Sequence, residues 1–166
     1  MRRQIRIGLL VSRLLTSGLL ISIALPALAT QTITLSAPSY IRSGLPNDLP
    51  TTFLFDRNGS LLLVATSADA DNKLQNFLNS NGRSIPVADQ NCEKLKQLLT
   101  KVLAEEEITL SAILSKSNAF TLIGIRAGSS LGECAPCTSR HLMLLNAVNG
   151  KVALDAKYVV LSLENR

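Results

Sequence analysis

The first 29 residues decide how much of this chain is left to fold, and in which surroundings. MRRQIR is a basic head, and Leu14 to Leu25 is an apolar run broken only by Thr16, Ser17, Gly18 and Ser22. Pro26 then ends any helix before Ala27-Leu28-Ala29, which places small residues at the two positions a signal peptidase reads. Residues 1–29 are therefore expected to be a signal peptide, with cleavage after Ala29 leaving residues 30–166 as a single exported domain of 137 residues. The alternative is an uncleaved anchor, because Ile7 to Ala29 approaches the span of about 20 apolar residues that crosses a bilayer. Arg13 inside that stretch and the A-x-A site argue for removal, and the lack of a Cys at the cleavage point argues against a lipoprotein anchor. The expected location is periplasmic or secreted, by bacterial export, with no stable membrane insertion after cleavage.

The same segment explains the charge. The chain has 17 Lys and Arg against 12 Asp and Glu, a formal net charge of +5. Arg2, Arg3, Arg6 and Arg13 all lie in the leader, which has no acidic residue, so 13 basic groups face 12 acidic ones in the exported part. A surface so near neutrality has no basic stripe for phosphates. With no Trp, four Phe and two Tyr, it also has no platform for stacked bases, so nucleic acid is excluded as a leading partner.

Export changes what cysteine means, because disulfides persist on the oxidising side of a membrane. Cys92, Cys134 and Cys137 all lie in the exported part. An odd count leaves one thiol unpaired, or one bond able to choose between partners.

Along the exported part, residues 30–50 carry Pro38, Pro46 and Pro50 and read as extended or loop structure. Thr51 to Phe55 is a strand pattern, Asn58-Gly59 a hairpin turn, and Leu61 to Thr66 the returning strand. Asp69 to Asn79 reads as a helix through Leu74, Phe77 and Leu78. A longer helix over Asn91 to Glu105 is expected to bury Cys92, Leu95, Leu98, Leu99, Val102 and Leu103 on one stripe. Glu105-Glu106-Glu107 reads as its solvated, fraying end. Phe120 to Ile125 is a buried strand. Thr138 to Val148 fits either a short helix or a strand, the latter because Asn149-Gly150 offers a second hairpin into Val152 to Leu163.

Cys134-Ala135-Pro136-Cys137 admits three readings. At the start of a helix, i and i+3 share a face and can close a disulfide, while the helix N-terminus stabilises a thiolate on the first Cys. Cys134 would then attack and Cys137 resolve the mixed disulfide, with Pro136 helping to set the poise and Glu133 opposing the thiolate. The second reading is a structural disulfide with Cys92 free. The third is a zinc site of Cys92, Cys134, Cys137 and His141, with C-x2-C-x3-H as its local part. Covalent haem is excluded, because Thr138 and not His follows the second Cys. Arg140 and His141 stand where they could tune the thiols, without being assigned a catalytic role. No Ser/His/Asp set, phosphate loop or acid pair stands out.

Tyr40-Ile41-Arg42-Ser43 and Leu49-Pro50-Thr51-Thr52-Phe53-Leu54-Phe55-Asp56-Arg57-Asn58-Gly59 resemble the second half of a thioredoxin-family protein. There a strand begins at a cis-proline and turns at Asn-Gly or Asp-Gly. The likeness covers residues 38–80 and, through FTLIGI and CAPC, residues 119–148. It implies a small α/β fold, a thioredoxin-like sheet with flanking helices, with Pro50 as the cis-proline on the substrate side. It also implies thiol–disulfide exchange through Cys134 and Cys137, with protein thiols or disulfides and a redox partner, and without a cofactor. The chain order departs from the family, since Pro50 precedes Cys134 by 84 residues instead of following it. Either the halves are circularly permuted, with the helix from Asn91, FTLIGI and Thr138 to Val148 standing for the first helix, central strand and active-site helix, or the first match is a generic strand–turn–strand–helix unit. The aromatic residue expected just before the first Cys is replaced by Gly132-Glu133, and FTLIGI carries no acidic residue. The rival expectation is an α+β fold in which FTLIGIRAG, RHLMLLNAV and KVALDAKYVVLSL form a β-meander stapled by the Cys pair, in a non-enzymatic binding or assembly protein.

Overall fold

The computed structural model describes residues 30–67, 72–88, 90–150 and 153–166, so the expected leader, residues 1–29, lies outside the described residues. The fold is α/β, a five-stranded mixed sheet covered by helices on both faces. In chain order the elements are β1 (Gln31–Ser36), α1 (Ala37–Arg42), β2 (Thr51–Asp56), β3 (Leu61–Ala65), α2 (Asn72–Asn79), α3 (Cys92–Glu105), α4 (Leu110–Ile113), β4 (Phe120–Ala127), α5 (Ala135–Asn149) and β5 (Ala156–Glu164). The strands lie side by side as β1-β5-β4-β2-β3. β1, β5 and β4 run parallel, and β2 is antiparallel to both β4 and β3.

The hairpin forms where its residues predict. Gly59 takes φ +78°, and the Asp56 carboxylate accepts the Ser60 amide at 2.8 Å, closing the turn locally. β2 is flanked on both sides by strands, and its first five residues are all buried. Side chains alternate between the faces. Phe53, Phe55, Ile123, Ile125, Val159 and Leu161 meet Tyr40, Cys92, Leu99, Leu103 and Ile113 on one side. Leu54, Leu122, Tyr158 and Val160 meet Leu74, Phe77, Leu144 and Val148 on the other. There Phe77 stands edge-on to Phe120 with ring centroids 4.9 Å apart.

Three expectations are corrected. Residues 30–50 are not simply extended or loop. Ser36 caps α1 by accepting the Ser39 amide at 3.4 Å, and Pro38 falls in the first turn, where its missing N–H costs nothing. The β-meander is also ruled out. Thr138 to Val148 lies in the helix α5, so β4 and β5 become parallel neighbours, and Gly150 ends that helix instead of turning a hairpin. Finally, the acidic run after α3 is not merely solvated. Glu106 accepts the Ser36 amide at 2.9 Å and pairs with Arg166 at 2.6 Å, tying the end of β1 to the C-terminus.

The remaining helices follow their patterns closely. The α3 stripe buries Cys92, Leu99, Val102 and Leu103, with Leu95 and Leu98 partly covered. α2 buries Leu74, Phe77 and Leu78, and part of its expected first turn, residues 69–71, lies outside the described residues. Among the described residues, no helix is long and apolar enough to cross a membrane.

Candidate functional site

The carboxyl ends of the parallel strands β4 and β5 and the amino end of β2 meet at one edge of the sheet. Ligand sites of open α/β sheets lie outside such strand ends. Here β4 leads through a short 3-10 turn, Ser129–Leu131, to Cys134, and α5 begins at the next residue. Cys134 and Cys137 are joined by a disulfide, with Cα atoms 5.1 Å apart. Cys134 is the N-cap of α5, and its Sγ accepts the Cys137 amide at 3.2 Å, so a free backbone donor of the first helical turn points at sulfur. Cys134 is partly exposed, while Cys137 is buried at 3% exposure. Pro136 lies in the first turn, where proline is tolerated. An attacking group from solvent therefore reaches Cys134 before Cys137.

Pro50 is brought to the same end of the sheet. Thr51 pairs with Ile125, which puts Pro50 level with Arg126 as β4 leaves for the disulfide. The Leu49–Pro50 peptide bond is cis, as the resemblance implied, and Pro50 is buried. All three residues singled out from the sequence thus sit on the elements that converge at this edge.

The zinc reading fails on placement. Cys92 belongs to the core on the face of the sheet opposite α5, while Cys134 and Cys137 are spent on each other. Among the described residues, no group of three or more His, Cys, Asp or Glu could hold a metal ion.

The structure gives Arg140 and His141 their partners and adds Tyr158, Gly124 and Glu164, which the sequence did not single out. Arg140, two turns into α5, donates to Thr52 Oγ1 at 3.4 Å and links the helix to β2. His141 Nδ1 lies 3.0 Å from Tyr158 Oη. Burial, then the charge of Arg126, pushes His141 below its ordinary value, favouring the neutral ring. Burial pushes Tyr158 up to about 12, so its hydroxyl stays protonated. Gly124 makes room for that ring, since a Cβ there would lie 2.8 Å from Tyr158 Oη. At the other flank, Glu164 at the end of β5 clamps the turn before Cys134. Its carboxylate accepts the Ser129 amide at 3.1 Å, the Ser130 amide at 2.9 Å and the Ser130 hydroxyl. The Ser130 hydroxyl, followed by these amides, holds the Glu164 carboxyl below its ordinary value. The signals for these residues were a lone Arg closing an apolar strand and a Gly-Ser-Ser loop. Neither identifies a partner without the sheet register.

Compared with protein-family models, curated proteins and solved structures, the chain matches none of them.

Proposed function

We propose that this is an exported, thioredoxin-like protein with permuted element order that exchanges thiols and disulfides through Cys134 and Cys137. The carrying observation is the disulfide at the amino end of a 15-residue helix, with the partly exposed Cys134 as its cap and Cys137 buried behind it. The helix dipole and the Cys137 amide favour negative charge on Cys134 sulfur once the bond is open. Support for the thioredoxin likeness comes from a central strand leading toward the Cys pair and an antiparallel hairpin that starts after Pro50 at the same end of the sheet. Cutting a fold at a different surface connection leaves its sheet intact.

In the reducing direction, the Cys134 thiolate attacks one sulfur of a substrate disulfide and the other leaves as thiolate. Cys137, losing its proton, then attacks Cys134 Sγ and releases the second substrate sulfur. Two electrons pass to the substrate and the protein disulfide reforms. The two sulfurs carry the electrons themselves, so no cofactor is required. The partners are protein thiols or disulfides and a redox partner that resets the pair. The leader-like segment, residues 1–29, supports a periplasmic or secreted location, where such chemistry has substrates.

A staple is poor use of this bond. Both sulfurs belong to one helical turn, and closing a four-residue loop stabilises a fold by only about 2 kcal/mol in the chain-entropy account. The test is equilibration against a glutathione series, with the modified Cys mapped by mass spectrometry. A Cys134–Cys137 couple between about −120 and −270 mV is expected, with exchange abolished in Cys134→Ser and a trapped mixed disulfide in Cys137→Ser. A bond that stays closed below about −300 mV overturns the proposal in favour of a structural disulfide.

A further inference from the structure

We propose that Arg126 is the counter-charge for the thiolate that appears when the Cys134–Cys137 bond opens, and that it makes the pair an acceptor of electrons from protein dithiols. This rests on the exchange reading above. Arg126 shares its face of β4 with Leu122 and Gly124, the face that α5 covers, and it sits level with Pro50 at the disulfide end. Its Nε is buried without a hydrogen-bond partner, and among the described residues its side chain has no ion pair. The residue as a whole is half-buried, so this one nitrogen is shut off from water and lacks an acceptor that a nearby anion could supply. The oxidised pair is neutral and supplies none.

The field of Arg126 reaches α5, because it acts on His141, one turn beyond Cys137, and on Tyr158. The groups facing this end of α5 are Arg126 from β4, Tyr158 and Glu164 from β5 and Thr52 from β2, with Arg140 and His141 on the helix itself, and the Glu164 carboxylate is already engaged by Ser129 and Ser130. The carboxylate adjoining the pair in the chain, Glu133, is exposed, and solvent screens it. The positive charge of Arg126 stabilises the reduced, anionic pair without affecting the neutral disulfide.

The step it favours is oxidation of a substrate dithiol. One substrate thiol, having given its proton to solvent, attacks Cys134 Sγ. The Cys134–Cys137 bond breaks, and Cys137 takes the proton of the second substrate thiol. That second sulfur attacks the substrate sulfur of the mixed disulfide, and Cys134 leaves as thiolate beside the helix terminus. The substrate loses two electrons in forming its own disulfide, and the protein gains them.

The test compares the full protein with Arg126→Met, Arg126→Gln and Arg126→Lys by glutathione equilibration and by ultraviolet titration of the thiolate in the reduced form. Loss of the charge should lower the equilibrium constant for reduction about tenfold, which is about 30 mV for a two-electron couple, and move thiolate formation to higher pH. Arg126→Lys should restore most of both. If the Met variant fails to fold, the Gln variant carries the same comparison. Unchanged constants and titrations in the uncharged variants overturn the role of Arg126 and leave the exchange reading standing. A wild-type pair that does not exchange with glutathione overturns the exchange reading, and this inference with it.

Discussion

His141 shows how a single position changes meaning once its surroundings are known. In the sequence it is a lone histidine four residues past a Cys, read first as a surface or satisfied side chain and only after that as a base or a zinc ligand. In the fold its Nδ1 faces Tyr158 Oη, and burial together with Arg126 disfavours its protonated form. A base with a depressed value binds its proton more readily in the unfolded chain, so the folded state loses stability as pH falls from the ordinary value of 6.5 toward the folded one. Above 6.5 neither state is protonated and the penalty vanishes. Urea unfolding of wild type and His141→Gln, compared at pH values on either side of that window, should show a smaller acid-side loss in the variant. An equal loss in both would mean that the ring is not held neutral.

Among the elements, α5 governs the site, and its docking rather than its intrinsic preference positions Cys134. Leu144 is fully buried against the sheet and Val148 nearly so, while Leu142 is half exposed. This uneven pattern, with the apolar Leu142 on the outer side and Asn149-Gly150 just beyond, lets residues 138–148 read as a strand as readily as a helix. Leu144→Ala should destabilise the fold by about 2–5 kcal/mol, the range for emptying a buried leucine site, read as a fall in the urea midpoint. A change well under 1 kcal/mol would show that the helix is held elsewhere. β1 and α1 were hidden for a different reason. Proline reads as a break, yet Pro38 follows a capping Ser36 and so marks a beginning.

For the whole molecule, the disulfide lies at an edge of the sheet and crosslinks only one turn of one helix. The two cores on either face of the sheet contain no sulfur bond, and Cys92 packs into one of them as a small apolar side chain. Adding a thiol reductant should therefore lower stability by no more than about 2 kcal/mol and leave unfolding cooperative. Loss of cooperative unfolding on reduction would identify the bond as a structural support and count against exchange.

Much of the local structure could be read directly from residue order. The Asn58-Gly59 hairpin, the stripes of α2 and α3 and the buried run of β4 all depend on neighbours within a few positions, where turn chemistry and periodicity act. Cys134 and Cys137 were visible for the same reason, being three residues apart. Other features depend on contacts between distant segments. The parallel pairing of β4 with β5, the placement of Pro50 level with Arg126, and the clamp of Glu164 on Ser129 and Ser130 join residues more than 30 positions apart. By itself the sequence determined the punctuation of the chain, the near-neutral charge of residues 30–166 and the spacing of its sulfurs. Only the tertiary structure decided that residues 138–148 are helical, that Cys92 lies across the sheet from the pair, and that the half-buried Arg126 ends on the sheet face that α5 covers. Periodicity records which side of an element is apolar, but strand order and register select what that side meets.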